Sequence, residues 1–187
     1  MTNVLTLTQR IACARAGLAV NRCHTVRHTS HYNNGSHTAG MMMLMLQLWP
    51  KEFPRLAAYC LCHDIPEAWI GDIPSPVLKF MKGLRGSNNA AETRIFQELK
   101  LPNYLDLKTL DLEMLKNCDL MDLWLWCVEE QLAGNSFVRQ MKREIENYVG
   151  PKGEKLLLET ATVFREVKRL PELLLPIQAG VIENVCK

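Results

Sequence analysis

The sequence predicts an all-α protein built as one domain, on three observations. No stretch alternates apolar and polar residues with period two, so strand signals are nearly absent. Apolar residues recur instead at three- and four-residue spacing, in segments separated by Pro, Gly and Asn. The chain is 187 residues long, which at roughly 150 residues per domain leaves no room for a second unit.

The elements follow in order. Leu5 to Val20 is a first helix, and a polar, His-rich loop runs from Asn21 to Ser36. Ser36 is a good N-cap for a second helix, His37 to Trp49, which Pro50 ends. Pro54 suits the first turn of a third helix reaching about His63. Ile73-Pro-Ser-Pro76 breaks the chain, and Gly83 to Asn89 (GLRGSNN) reads as a mobile loop. A helix over about Ala90–Lys100 stops before Pro102. The longest apolar pattern spans about Lys108–Leu132, where Leu112, Leu115, Asp119, Leu123 and Trp126 share one face. Gly134-Asn135 is a stop, and two helices follow, about Ser136–Tyr148 and Glu154–Leu170. A tail follows Pro171.

Composition excludes several classes. Hydrophobic residues make up 48% and charged residues 22%, an ordinary globular balance. Lys plus Arg is 22 against 20 for Asp plus Glu, a net charge of +2. That balance argues against a stable nucleic-acid partner, while leaving room for a local basic pocket. The seven cysteines have no framework spacing and fall mostly in apolar helical stretches, so they read as free thiols in a reducing, cytoplasmic setting. The N-terminus lacks a secretory pattern. The apolar run from Ala39 to Trp49 falls well short of the ~20 residues that span a bilayer, so no membrane partner is expected.

The chemistry is concentrated in His63-Asp-Ile-Pro-Glu67-Ala-Trp-Ile-Gly-Asp72. An adjacent His63-Asp64 pair offers one nitrogen and one oxygen ligand at nearly the same point. A divalent metal with an open catalytic position asks for three or four protein ligands. His37 supplies a third, at the start of the preceding helix, and Asp119 a fourth, on the inward face of the long helix. An Asp among Leu115, Leu120, Leu123 and Trp124 is costly to bury without a cation. Other groupings read as ordinary structure. Cys60-Leu-Cys62-His63 lacks a partner pair for zinc, and His24, His28 and His31 read as solvated. Met41 to Met43 and the Trp124/Trp126 pair read as core.

The order His37, His63-Asp64, Asp119 resembles the H…HD…D pattern of the HD-domain phosphohydrolases. The likeness extends further. With Arg22 upstream, HDIPEAWIGDIPSPV resembles the HDxxExxxGDxPxPV segment of bacterial 5′-deoxynucleotidases. Lys116 to Asp119 is similar to their KxxD, and Cys127 to Asn135 to their CLEELxxGN. The phage dATP triphosphohydrolases are similar small members of the group. The resemblance covers about residues 10–150 and implies a single HD-domain bundle over 1–187, with a C-terminal helix and tail over 154–187. Two departures stand out: Cys23 where the deoxynucleotidases carry Trp, and Asn33-Asn-Gly-Ser-His37 where they carry AEHS.

The resemblance implies a metal-dependent hydrolase of nucleotide metabolism, using zinc, cobalt, manganese or magnesium held by His37, His63, Asp64 and Asp119. Glu67, with Asp64, is the expected catalytic carboxyl. Arg22, Lys79 and Lys116 are expected to bind phosphate oxygens, with Cys23 and Asp72 near the sugar or base. Relatives are homo-oligomers, so a dimer or hexamer is expected. The favoured substrate is dATP, cleaved to deoxyadenosine and triphosphate, because basic residues are plentiful, the GLRGSNN loop is placed to close over a longer phosphate chain, and Cys23 in place of Trp, with the altered motif before His37, moves the base pocket away from the mononucleotidase pattern. A 5′-deoxymononucleotidase is the first alternative and a non-catalytic nucleotide-binding HD module the second. A cyclic-dinucleotide phosphodiesterase is disfavoured, because no HDxGK or GYP element is present.

Overall fold

A computed structural model describes residues 4–174, apart from the side chains of Lys79, Glu172 and Leu173. The rest of the C-terminal tail, Cys186 included, lies outside the described residues. Among these residues there is no strand, only a single antiparallel bridge between Asn21 and Asn33. The helices are α1 (Leu7–Leu18), α2 (Asn34–Leu48), α3 (Phe53–Cys62), α4 (Glu67–Ile70), α5 (Ser75–Phe80), α6 (Leu84–Leu99), α7 (Thr109–Leu132), α8 (Arg139–Val149) and α9 (Leu158–Arg169). Short 3-10 turns lie at Tyr104–Asp106 and Pro171–Leu174.

The long helix α7 is the hub, packing on α2, α3, α8 and α9. Being enclosed on several sides, it buries more than one stripe. Met114, Leu115, Cys118, Met121, Trp124 and Val128 are all buried, whereas Leu112 and Leu123 are only partly so. The single face expected from Leu112, Leu115, Asp119, Leu123 and Trp126 is therefore too narrow. Toward its start, α7 meets Met41 and Met45 of α2 and Leu56 and Cys60 of α3. Toward its end, Trp124 packs on Phe164 of α9 with ring centroids 4.7 Å apart. A fully buried ring of this size contributes on the order of 3–5 kcal/mol against truncation to Ala.

Three local expectations are corrected. Helix α2 is capped by Asn33, not Ser36. Asn33 Oδ1 accepts from Ser36 N at 2.9 Å, and Asn33 N donates to Ser36 Oγ at 3.1 Å. Ser36 thus acts as the reciprocal partner of the cap, and the helix gains a turn that carries Asn34 inward. GLRGSNN is not a loop. Gly83, with φ of 87°, turns the chain, and α6 begins at Leu84. Asn88 there donates to Glu92 at 2.6 Å, and Glu92 accepts from Tyr104 Oη at 2.7 Å, so tertiary contacts override weak local propensity. The Pro74-Ser-Pro76 break is also the start of α5, with Pro76 in the first turn where a missing N–H is harmless.

Helix α1 rests on the segment between α3 and α4. A Cβ on Gly17 would lie 2.7 Å from the Ile65 carbonyl oxygen and 2.8 Å from Ile65 Cα, so only glycine permits that approach. This contact seats α1 directly against the His63–Glu67 turn, which carries part of the site.

Candidate metal and phosphate site

His37 sits in the first turn of α2, His63 caps α3, Asp64 follows it, and Asp119 lies midway along α7. One ligand atom from each of His37, His63 and Asp119 lies within 4.8 Å of the others. His37 Nε2 is 3.1 Å from Asp119 Oδ1 and 3.6 Å from Asp64 Oδ2, and His63 Nε2 is 3.0 Å from Asp64 Oδ2. Local chemistry orients both imidazoles. His63 Nδ1–H donates to the Cys60 carbonyl at 2.8 Å, and His37 Nδ1 meets Asp122 Oδ2 at 2.7 Å. Both Nε2 atoms are buried and make no hydrogen bond. Two orphaned buried nitrogens facing carboxylate oxygens fit a divalent cation, which satisfies all of them together.

Arg22 enters from the loop before α2. Its Nη1 pairs with Asp64 Oδ2 and donates to Asn34 Oδ1 at 3.3 Å, and its Nη2 lies 3.7 Å from Asp119 Oδ1. Its buried Nε has no partner and remains able to donate. Asn34, wholly buried, is a junction: its Nδ2 donates to Glu67 Oε2 at 2.8 Å, and to the carbonyls of Gly17 and Asp64 at 3.1 Å each.

The carboxyls here differ sharply. Burial alone would raise Asp64, but His63 and Arg22 outweigh it and hold Asp64 well below the usual carboxylate range. Glu67 is pushed up to about 8, first by burial and then by the negative charge of Asp64. Burial opposes a charge on His37, yet Asp119 and Asp122 push it up to about 9.

Asp119 is not enclosed as expected: its side chain keeps 40% exposure. It stands at the rim: of the apolar neighbours named from sequence, Leu115 packs toward α2 and α3, and Leu120, Leu123 and Trp124 pack toward α8 and α9, while Asp119 faces His37. Asp72 Oδ2 accepts from the backbone N of Cys23 at 2.8 Å and lies 3.7 Å from His24 Nδ1. Cys23 holds a left-handed backbone, φ of 54°, with its sulfur 4.0 Å from Met141 Sδ, and burial pushes its thiol up to about 12. Lys116 is exposed, one turn before Asp119. The Lys79 side chain falls outside the described residues. His28 Nδ1 donates to the Ser30 carbonyl of its own loop at 2.7 Å. Among the described residues no second cluster of three metal-ligating groups forms, so His24, His28 and His31 build none.

Sequence reading missed Asn34, Asp122, Tyr32 and Glu130. Asp122 carried a signal, a second Asp three residues beyond Asp119 in an apolar helix. Glu130 is nearly buried on α7 and accepts from Thr29 N, Ser30 N and Asn135 Nδ2 at 2.9, 2.8 and 2.6 Å. It ties the Arg22 loop to the hub helix.

A helical bundle that gathers two imidazoles and two carboxylates in this H…HD…D order defines an HD-domain phosphohydrolase. More closely, the chain belongs to the YfbR-like 5′-deoxynucleotidase family, which matches residues 18–167. It is thus a metal-dependent phosphohydrolase acting on deoxynucleoside 5′-phosphates, with a divalent metal as cofactor. The fold is shared with the PH0347 protein of Pyrococcus horikoshii at 17% identity and a TM-score of 0.65, covering 87% of this chain and 99% of that one. A conserved hypothetical protein of Pyrococcus furiosus is similar at 16% identity and a TM-score of 0.61, with the same coverage. No curated protein matches the chain. No helix among the described residues is long and apolar enough to cross a membrane.

Proposed function

We propose that the protein is a 5′-deoxymononucleotidase, converting a deoxynucleoside 5′-monophosphate and water to deoxynucleoside and phosphate. The observation that carries this reading is the pairing of two orphaned buried Nε2 atoms with a proton-holding carboxyl, Glu67, beside them. His37, His63, Asp64 and Asp119 would hold one divalent ion, which supplies Lewis-acid polarisation of the phosphate and the attacking water. Arg22 Nε, free and buried, donates to a phosphate oxygen. Glu67 Oε2 accepts from Asn34, which leaves Oε1 to carry the proton. That proton passes to the 5′ oxygen as the phosphorus–oxygen bond breaks. Asp72 holds the Cys23 backbone, and so shapes the wall beside Arg22.

The triphosphate reading, dATP to deoxyadenosine and triphosphate, loses one of its motives because GLRGSNN is helical and offers no loop to close over a longer chain. It keeps another, the replacement of an aromatic residue by Cys23 at the pocket wall. Product analysis on dAMP and dATP, side by side with cobalt, manganese, magnesium and zinc, decides between them. Phosphate release from dAMP outpacing triphosphate release from dATP supports the proposal. The reverse order transfers it to the triphosphohydrolase, and binding without turnover of either would support the non-catalytic module. A dimer or hexamer remains part of the proposal, measurable by light scattering.

A further inference from the structure

We propose that Asp122 is a positioning residue for His37, setting that ligand's orientation and raising the affinity of the metal site. The inference rests on the reading of His37 as a metal ligand. Asp122 Oδ2 lies 2.7 Å from His37 Nδ1 and accepts from Tyr32 Oη at 2.9 Å. A carboxylate there fixes the proton on Nδ1 and leaves Nε2 bare toward Asp119 and Asp64. Tyr32 Oη is itself 3.0 Å from His37 Nδ1, so the three groups form a closed set.

The surroundings are built around this carboxylate. A Cβ on Gly40 would lie 1.8 Å from Asp122 Oδ1 and 2.8 Å from its Cγ, so the helix α2 opens a slot for Asp122 with the one residue that lacks a side chain. Tyr32 is buried and stacked on Trp126, ring centroids 4.5 Å apart and planes within 9°. Trp126 Nε1 in turn donates to Ser30 Oγ at 2.9 Å. The phenol is therefore aimed by packing and cannot swing to another acceptor without unstacking. The two imidazoles are held unequally. His63 donates to a neutral carbonyl, whereas His37 donates to an anion, which makes His37 the more electron-rich donor. A residue with only a packing role would leave metal affinity alone when replaced.

The test measures cobalt affinity of the full chain by competition with a chromogenic chelator, alongside the cobalt absorption spectrum and thermal unfolding of the metal-free protein. Asp122→Ala should weaken cobalt binding roughly 10- to 100-fold. Asp122→Asn keeps an acceptor but loses the charge, and should fall between. Gly40→Ala, which evicts the carboxylate without touching it, should reproduce the loss. Val167→Ala, in the α9 core, should lower the melting temperature while leaving cobalt affinity unchanged. If Asp122→Ala does not fold, Asp122→Asn and Gly40→Ala carry the test. Folded variants that bind cobalt within twofold of the parent overturn the proposal and leave the metal site standing. A parent protein that binds no cobalt overturns the metal reading itself, and this inference with it.

Discussion

Asp64 and Glu67 lie three residues apart, and their surroundings drive them in opposite directions. Asp64 faces Arg22 and His63 and stays ionised, fit to face a cation. Glu67 turns away from those partners and touches only the neutral amide of Asn34, so burial and the nearby Asp64 leave it protonated near neutral pH. Two carboxyls whose proton affinities are pushed apart mark an acid and an anion with separate tasks. Glu67→Gln keeps the size and the hydrogen bond from Asn34 but cannot release a proton. It should retain cobalt affinity while kcat falls ~10²–10⁴-fold, the usual contribution of a positioned acid. Chelator competition and steady-state rates on dAMP check both halves. Near-normal kcat would remove Glu67 from the proton path.

At the scale of elements, the site depends on how the irregular segment before α2 is fastened. Glu130 does this from α7. Burial would raise its carboxyl, but hydrogen bonds from Asn135, Ser30 and Thr29 outweigh burial and hold it down to about 2. The sign follows from linkage. A carboxyl depressed from 4.5 contributes stability that is complete above pH 4.5 and is lost as pH falls toward about 2. Glu130→Gln should lower the stability at neutral pH by on the order of 1–3 kcal/mol, since buried donors lose their acceptor. It should also flatten the fall of melting temperature between pH 4.5 and 3, a range set by the depressed carboxyl. An unchanged acid limb in the variant would place the acid sensitivity elsewhere. The helices themselves were largely legible: Pro54, Pro102 and Gly134 marked their ends as expected. His37, His63, Asp64 and Asp119 were legible because metal-ligand chemistry dictates residue type and order. The cap at Asn33 and the helical GLRGSNN were not, because Asn can start a helix, end one or sit inside one, and only Glu92 and Tyr104 decide. Asn34 and Gly40 had no legible signal, since a buried amide and a missing Cβ gain meaning only once α1, α2 and α7 meet.

For the whole molecule, the decisive fact is that the four proposed ligands come from three separate parts of the bundle. His37 belongs to α2, His63 and Asp64 to the end of α3, and Asp119 to α7, the helix on which α2, α3, α8 and α9 pack. An ion held there is a cross-link between elements distant in sequence, and the unfolded chain offers no comparable site. Binding to the folded state alone stabilises by RT ln(1 + [L]/Kd), about 2.7 kcal/mol when the ion is at 100 times its dissociation constant. For a domain of this size ~1 kcal/mol moves the melting temperature by roughly 2–4 °C. Cobalt or manganese at that excess should therefore raise the melting temperature by roughly 5–11 °C over the chelator-treated protein. Asp119→Ala should abolish the rise together with turnover, because Asp119 supplies an anionic oxygen 3.1 Å from His37 Nε2 at the open side of the site. Its own melting temperature without metal should change little, since a rim carboxylate with 40% exposure contributes little packing. Scanning calorimetry across a metal titration separates these terms. A parent protein whose melting temperature ignores the ion, or an Asp119→Ala variant that still responds to it, would move the metal away from these four side chains.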